Sequence, residues 1–273
     1  MKSFRDFIEQ LRKEKKLVEL KKPVSKHLEL AGVLKALDGQ AVYTEHVKEH
    51  EGARVAGNIF CTRELICDYL GIKIDELIPK LTHAINNPSK PQLVQTAPVL
   101  EVTETEVDLT KLPIPFHAEK DGGPYFASAV VIAQDKELGR NCSFHRMMVI
   151  GKDSVVMRIL PRHLEEFIKR NGGELDVAFV VGAPINVLLA GATSTELGKD
   201  ELEIANTIAP IATVKLGNGI EVPADAEFAF EGHITSELVD EGPFIDLTET
   251  YDIVRKQRVM KITKIHHRKN PIF

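Results

Sequence analysis

The segment from Pro88 to Pro115 holds five prolines, Pro88, Pro91, Pro98, Pro113 and Pro115, and shows no helical period. Each proline removes a backbone donor and pushes the residue before it away from helical angles, so an extended connector is expected here. It separates two differently patterned parts. Before it, Phe4, Phe7, Ile8 and Leu11 fall at helical spacing within Phe4 to Lys16, and Ser3 is placed to cap the start. Helical patterns also cover His27 to Leu37 and Thr62 to Leu70, with a strand-like run at Arg54 to Ile59 between them. After it come strand-like runs at Phe126 to Gln134, Met147 to Ile150, Ser154 to Leu160, Val177 to Val181, Ala212 to Lys215, Glu227 to Ile234 and Arg258 to His266. Only His163 to Arg170 and Glu201 to Ile208 interrupt them with helical spacing. The pattern predicts an α+β protein. A small N-terminal α/β unit with its connector occupies 1–105, and a split antiparallel β-barrel occupies 106–273.

With 273 residues, 43% of them hydrophobic, the chain can bury a substantial core. A net charge of -5 and a single short basic cluster, His266-His267-Arg268-Lys269, argue against a nucleic-acid partner. The three cysteines, Cys61, Cys67 and Cys142, lack metal-site spacing and fit reduced thiols. No apolar run reaches membrane-spanning length, and the start, MKSFRDFIEQLRKEKK, has no apolar leader. A soluble, cytoplasmic protein with no membrane contact is expected.

Four clusters carry chemistry. EGPFID, 241–246, sets Glu241 and Asp246 on either side of a Gly-Pro turn, although acids around Gly-Pro are also common surface turns. NCSFHR, 141–146, offers an amide, an imidazole and a guanidinium. In a strand Asn141, Ser143 and His145 share one face, while Cys142, Phe144 and Arg146 share the other. His145 alone reads more readily as a structural histidine, whereas the planar fork of Arg146 suits a carboxylate. Pro161-Arg162-His163 stands at a strand-to-helix junction, and Asp200, Glu201 and Glu203 open a helix, where acids usually complement the dipole. Phosphate loops, dinucleotide glycine patterns, nucleophile elbows and cysteine metal motifs are missing. The residues alone lead to a barrel with an acid, arginine and histidine pocket.

In order, Asn-x4-Arg from Asn141, Leu-Pro-Arg-His from Leu160, Glu-x3-Ala from Glu201, VPADAEFAFEG, EGPF and NPIF resemble the UbiD family of reversible decarboxylases, which use prenylated FMN. The resemblance implies that Asn141, His163 and Glu201 hold a divalent metal, usually Mn2+, which with K+ ties down the cofactor phosphate. Glu201 is preferred to its competitor Glu203 because it stands four before Ala205, where the family has its glutamate. The backbone from Ala190 to Thr193 corresponds to the potassium-binding segment. Ser143, Phe144, Arg146 and Arg162 are carried over as further cofactor contacts. Arg146, Glu241 and Asp246 are similar to the family's catalytic arginine and acids. Glu241 is expected to carry the proton, and Asp246 to orient Arg146 or the substrate side of the pocket.

The implied activity is reversible, non-oxidative decarboxylation of an aromatic or α,β-unsaturated acid. EGPFIDLTETYD looks closest to an archaeal branch that includes decarboxylases of anhydromevalonate phosphate, an isoprenoid precursor. Ile245 and Leu247 depart from the family's usual Gly and His and make the turn more apolar. Implied partners are the small carboxylic acid, a prenylated-flavin synthase as cofactor donor, and a homo-oligomer or a separate subunit. Family members run on past NPIF into a C-terminal domain, so such a subunit, or a shortened chain, is expected. The competing reading is a non-catalytic flavin-binding or regulatory subunit of a carboxylase complex.

Overall fold

The computed structural model describes residues 2–273. Its first part consists of α1 (Phe4–Lys13), β1 (Leu17–Leu20), α2 (Glu29–Ala36), β2 (Ala41–Val47), β3 (His50–Gly57), α3 (Arg63–Leu70) and α4 (Ile74–Asn86). The proline-rich stretch contains β4 (Gln92–Val94) and β5 (Val102–Glu104). Next come β6 (Tyr125–Phe126), β7 (Val130–Asp135), β8 (Gly139–Phe144), β9 (Met147–Val149), β10 (Ser154–Met157), α5 (His163–Arg170), β11 (Leu175–Val181), α6 (Ile185–Gly191) and α7 (Glu201–Ile208). The remaining strands are β12 (Ala212–Lys215), β13 (Glu221–Pro223), β14 (Phe228–Glu241), β15 (Phe244–Ile245), β16 (Tyr251–Asp252) and β17 (Arg255–His267).

Local chemistry accounts for the helices that position the rest. Ser3 and Asp6 form a reciprocal capping box at α1, and Phe4, Phe7, Ile8 and Leu11 are its buried face. The helix ends at Lys13 instead of Lys16, because Lys15 takes a left-handed conformation with φ 58°. Helices α5 and α7 have the bounds read from the sequence. Helix α4 is not expected from it, since Pro79 lies inside and costs one backbone bond, yet its buried Leu77 and Ala84 hold it in place.

The protein is α+β. Nine strands form one sheet in the order β6-β9-β10-β17-β14-β11-β7-β8, with β5 also pairing β17. Both faces of its centre are covered. Along β7, Val131 and Ala133 join Phe126, Phe179, Phe230 and Phe167 on one side, while Val130 and Ile132 meet Leu202, Ala205 and Val187 on the other. Two-sided burial is why the strands read as continuous apolar runs rather than as alternation. The connector is not free chain: β4 pairs in parallel with β12, and β5 pairs antiparallel with β17. The strand expected to end at Ile234 continues to Glu241, pairing with β17 out to Glu241↔Arg255. This ribbon carries Glu241 beyond the apolar centre of the sheet.

Glu227, fully buried just before β14, joins distant parts of the chain. Arg5 of α1 donates to it from Nε at 3.0 Å and Nη2 at 2.6 Å, and the Ile272 N–H donates at 3.0 Å. Removing one partner of such a pair strands a desolvated charge, at a cost of about 3 kcal/mol. Arg5→Ala is therefore expected to lower the unfolding free energy by about that amount in denaturant titration. A loss below about 1 kcal/mol would show the pair to behave like an exposed one.

Candidate functional site

A cavity of about 740 Å³ lies where β8, the start of α5, the end of α6 and the start of α7 meet. Asn141, Ser143, Phe144, Arg146, Arg162, His163, Glu201 and Asp246 stand on its wall, as do residues 191–195 after α6. Ala190 and Glu241 are fully buried and do not line it. Arg158 and Asp252 also line it, and sequence reasoning assigned neither a place there.

One wall is built by β8 and α7. Asp200 caps α7 by accepting from the Leu202 N–H at 2.9 Å, which places Glu201 in the first turn. Arg140 of β8 grips Asp200 through Nε at 3.0 Å and Nη2 at 2.6 Å, so the residues next to Asn141 and Glu201 are tied together. Glu201 is 2% exposed, and its carboxylate accepts from the Cys142 N–H at 2.8 Å and the Thr195 hydroxyl at 2.7 Å. Burial pushes its pKa up, against the pull of those two donors. The Asn141 amide lies 3.4 Å from the same carboxylate. Glu203 instead lines a different cleft with Lys90 and Arg140. Asn141, His163 and Glu201 thus line the same cavity. An amide oxygen, an imidazole and a carboxylate are a donor set that fits a borderline-hard divalent ion.

The opposite wall is organised by Arg146. Its Nε donates to Glu241 Oε1 at 2.9 Å, and Nη2 donates to Oε2 at 3.0 Å. The Tyr125 hydroxyl donates to Oε1 at 3.1 Å. Nη2 also donates to Asp252 Oδ2 at 2.9 Å, and the Phe244 ring lies 5.0 Å from the guanidinium carbon. Burial works against the charge on Arg146, but Glu241 and Asp252 outweigh it and its pKa rises. Burial, reinforced by Glu241, pushes up the Tyr125 phenol. Arg255 first, and Arg146 after it, hold the Asp252 carboxyl down at about 2. The turn beneath is fixed by Gly122 N–H to Pro243 O at 2.8 Å and Ile245 N–H to Asp121 Oδ1 at 2.9 Å. A Cβ on Gly122 would sit 2.4 Å from the Gly242 carbonyl oxygen, so only glycine fits.

The two acids of EGPFID have different surroundings. Glu241 pairs with Arg146, is 0% exposed, accepts from Arg146 at each oxygen and does not line the cavity. Asp246, exposed on the wall, accepts at Oδ1 from its neighbour's Leu247 N–H at 2.7 Å. The acid that joins Glu241 on Arg146 is Asp252, not Asp246. Tyr125 and Asp252 carry no local signal beyond lying near the GP turns, and only the tertiary fold brings them to the arginine.

His145 links the two walls, with Nδ1 3.0 Å from the Arg158 carbonyl oxygen and Nε2 3.1 Å from the Ser143 hydroxyl. Burial holds its pKa below 6.5, with the Arg158 carbonyl opposing. The folded protein therefore binds fewer protons than the unfolded chain once pH falls below 6.5. The stability from neutral His145 is complete above that pH and is lost as pH falls toward the folded-state value. Burial lowers the pKa of His117 in the same way, so it adds to the effect. The melting temperature is expected to drop between about pH 7 and about pH 5, and His145→Gln to drop less. Equal drops would assign the loss to other groups.

The 3-octaprenyl-4-hydroxybenzoate carboxy-lyase Rift-related domain matches residues 92–273, and the N-terminal domain of the same family matches 8–85. The chain is 40% identical over 278 residues to the anhydromevalonate phosphate decarboxylase of Methanosarcina mazei, covering 99% of this chain and 64% of that protein. It is 38% identical over 248 residues to the enzyme of that name from Methanocaldococcus jannaschii, covering 88% and 58%. The chain thus spans about two thirds or less of these relatives' length. An evolved dimeric form of the UbiD-class enzyme HmfF from Pelotomaculum thermopropionicum, solved with prFMN, superposes with a TM-score of 0.96 at 36% identity, over 100% of this chain and 67% of that one. With family models matched on both sides of the proline-rich stretch, the chain belongs to the UbiD family.

Proposed function

We propose that the chain is the flavin-binding part of a reversible, non-oxidative decarboxylase of an α,β-unsaturated or aromatic carboxylic acid, with prenylated FMN as cofactor. The observation that carries this reading is the clasped Arg146, presented to the same cavity as Asn141, His163 and Glu201. The named activity of the Methanosarcina mazei relative and the prFMN bound by HmfF support it. The proposal includes the curvature of the nine-stranded sheet into a split, flavin-reductase-like barrel, the division near residue 105, a cytoplasmic location, and a homo-oligomer or second subunit. No helix among the described residues is long and apolar enough to cross a membrane.

In this reading Asn141, His163 and Glu201 hold Mn2+ or another divalent ion, and the backbone from Ala190 to Thr193 takes K+. Ser143, Phe144 and Arg162 contact the flavin. When bound, the prenylated flavin supplies an electron sink for the pair left behind by departing carbon dioxide. Arg146 orients the substrate carboxylate, and Glu241 and Tyr125 keep the guanidinium from turning away. Asp246, free on the cavity wall, hands the replacing proton to the substrate carbon and recovers it from solvent. Leu164 on the cavity wall shields the reacting side from water.

A phosphorylated substrate such as anhydromevalonate phosphate needs a cationic anchor. Arg140 is consumed by Asp200 and Glu221, and Lys215 lies on an exposed position of β12, whereas Arg158 and Arg162 line the cavity. Because Arg162 serves the flavin in this reading, Arg158 is the residue we assign to a substrate phosphate.

Expression with a prenylated-flavin synthase, followed by flavin and metal analysis, tests the cofactor reading. Wild type is expected to carry both, and His163→Ala and Glu201→Ala to lose at least about tenfold in metal occupancy. Wild-type content in both variants would show the metal assignment to be wrong. Flavin binding without turnover of 4-hydroxybenzoate, cinnamate or anhydromevalonate phosphate would favour the non-catalytic subunit.

A further inference from the structure

The guanidinium of Arg146 has two edges that can take a carboxylate in a forked pair of hydrogen bonds. The Nε and Nη2 edge is filled by Glu241, at 2.9 and 3.0 Å. The other edge, Nη1 with the second Nη2 hydrogen, is the one Glu241 leaves open, and Arg146 lines the cavity. Among the described residues Nη1 has no hydrogen-bond partner, whereas Asp252 Oδ2 sits 2.9 Å from Nη2. Asp252 therefore covers half of the only fork left for an incoming carboxylate.

Asp252 is also equipped to leave. Its other oxygen, Oδ1, accepts from Arg255 Nη1 and from the Ile253 N–H, so release from Arg146 does not strand the charge. Arg158 Nε stands 3.6 Å from Oδ2 as a further cation. The carboxylate rides on the β15–β16 hairpin, which is held by two paired positions, Phe244↔Asp252 and Ile245↔Tyr251. Leu247 in the hairpin loop and Ile253 and Val254 after it are exposed, so little apolar packing resists a shift on the Asp252 side, whereas Phe244 on the other strand is anchored against Tyr125.

We propose that Asp252 is an internal stand-in for the substrate carboxylate: it holds the open fork of Arg146 in the empty pocket and is displaced to Arg255 and Arg158 when a carboxylate ligand arrives. Asp252 is on this view a specificity-determining positioning residue. A carboxylate restores the charge that Arg146 loses when Asp252 leaves, which a neutral group does not, so Asp252 competes with carboxylates for the fork and not with neutral ligands held elsewhere in the pocket. The inference rests on the reading of Arg146 as the carboxylate clamp, and it needs no turnover to be tested.

The test is calorimetric binding of benzoate, and of neutral benzamide as its isostere, to the FMN-loaded chain. Asp252→Asn keeps the shape but removes the competing charge, so benzoate is expected to bind about tenfold more tightly while benzamide is unchanged. Arg255→Leu removes the alternative partner, holds Asp252 on Arg146 and is expected to weaken benzoate several-fold. This second variant keeps the idea testable if the first misfolds. Benzoate binding by Asp252→Asn that is equal to or weaker than wild type, or equal gains for benzoate and benzamide, overturns the proposal. So does benzoate binding that Arg255→Leu leaves unchanged, or that neither protein shows. Failure of the decarboxylase reading is recognised separately, as flavin-loaded wild type that binds benzoate with the expected variant pattern but turns over no acid.

Discussion

The buried pair of Arg146 and Glu241 is the contact on which the rest of the site depends. Taking a guanidinium and a carboxylate out of water costs several kcal/mol per ion, and the bidentate geometry together with further hydrogen bonds offsets that cost. Tyr125 supplies one further donor and Asp252 one further acceptor. These four residues come from β6, the β8–β9 connection, the far end of β14 and β16, so the pair forms only when the sheet is assembled. The long ribbon of β14 and β17 places Glu241, and the packing of Gly122 against Gly242 fixes the turn that follows.

The two walls of the cavity are coupled through a short piece of chain. Asn141 and Arg146 stand at opposite ends of the NCSFHR stretch, and the strand's alternation sends Ser143 and His145 between them. Ser143 is within 3.1 Å of both Asn141 and His145, and His145 reaches the Arg158 carbonyl. A displacement of β8 therefore moves Asn141 and Arg146 together. The Arg140 and Asp200 contact anchors this strand to α7 from behind.

Much of the fold is legible in the sequence wherever the signal is local. The apolar face and cap of α1, the bounds of α5 and α7, and the apolar centres of β7 and β11 are set by spacing and propensity within one element. Elements that tertiary pairing creates are not legible. β4 and β5 form inside a proline-rich stretch because β12 and β17 offer partners, and the polar end of β14 is a strand only because β17 continues beside it. The site divides in the same way. The residue types of NCSFHR, Pro161-Arg162-His163, Glu201 and EGPFID mark a pocket, and the fold brings them to one. Which acid is sealed behind Arg146 and which lines the cavity depends on long-range burial, and the contact of Asp252 with Arg146 is seen only in three dimensions.

The division of labour between Glu241 and Asp246 is tested most directly by solvent-deuterium incorporation into the decarboxylated product, measured on cofactor-loaded Glu241→Gln and Asp246→Asn together with carboxylate binding. If Glu241 positions Arg146 and Asp246 carries the proton, Asp246→Asn binds the carboxylate normally but loses about 10²- to 10⁴-fold in deuterium transfer. Glu241→Gln then binds the carboxylate weakly yet still delivers deuterium in each turnover. Normal binding with no deuterium transfer in Glu241→Gln, alongside Asp246→Asn within about tenfold of wild type, would contradict the assignment and return the proton to Glu241.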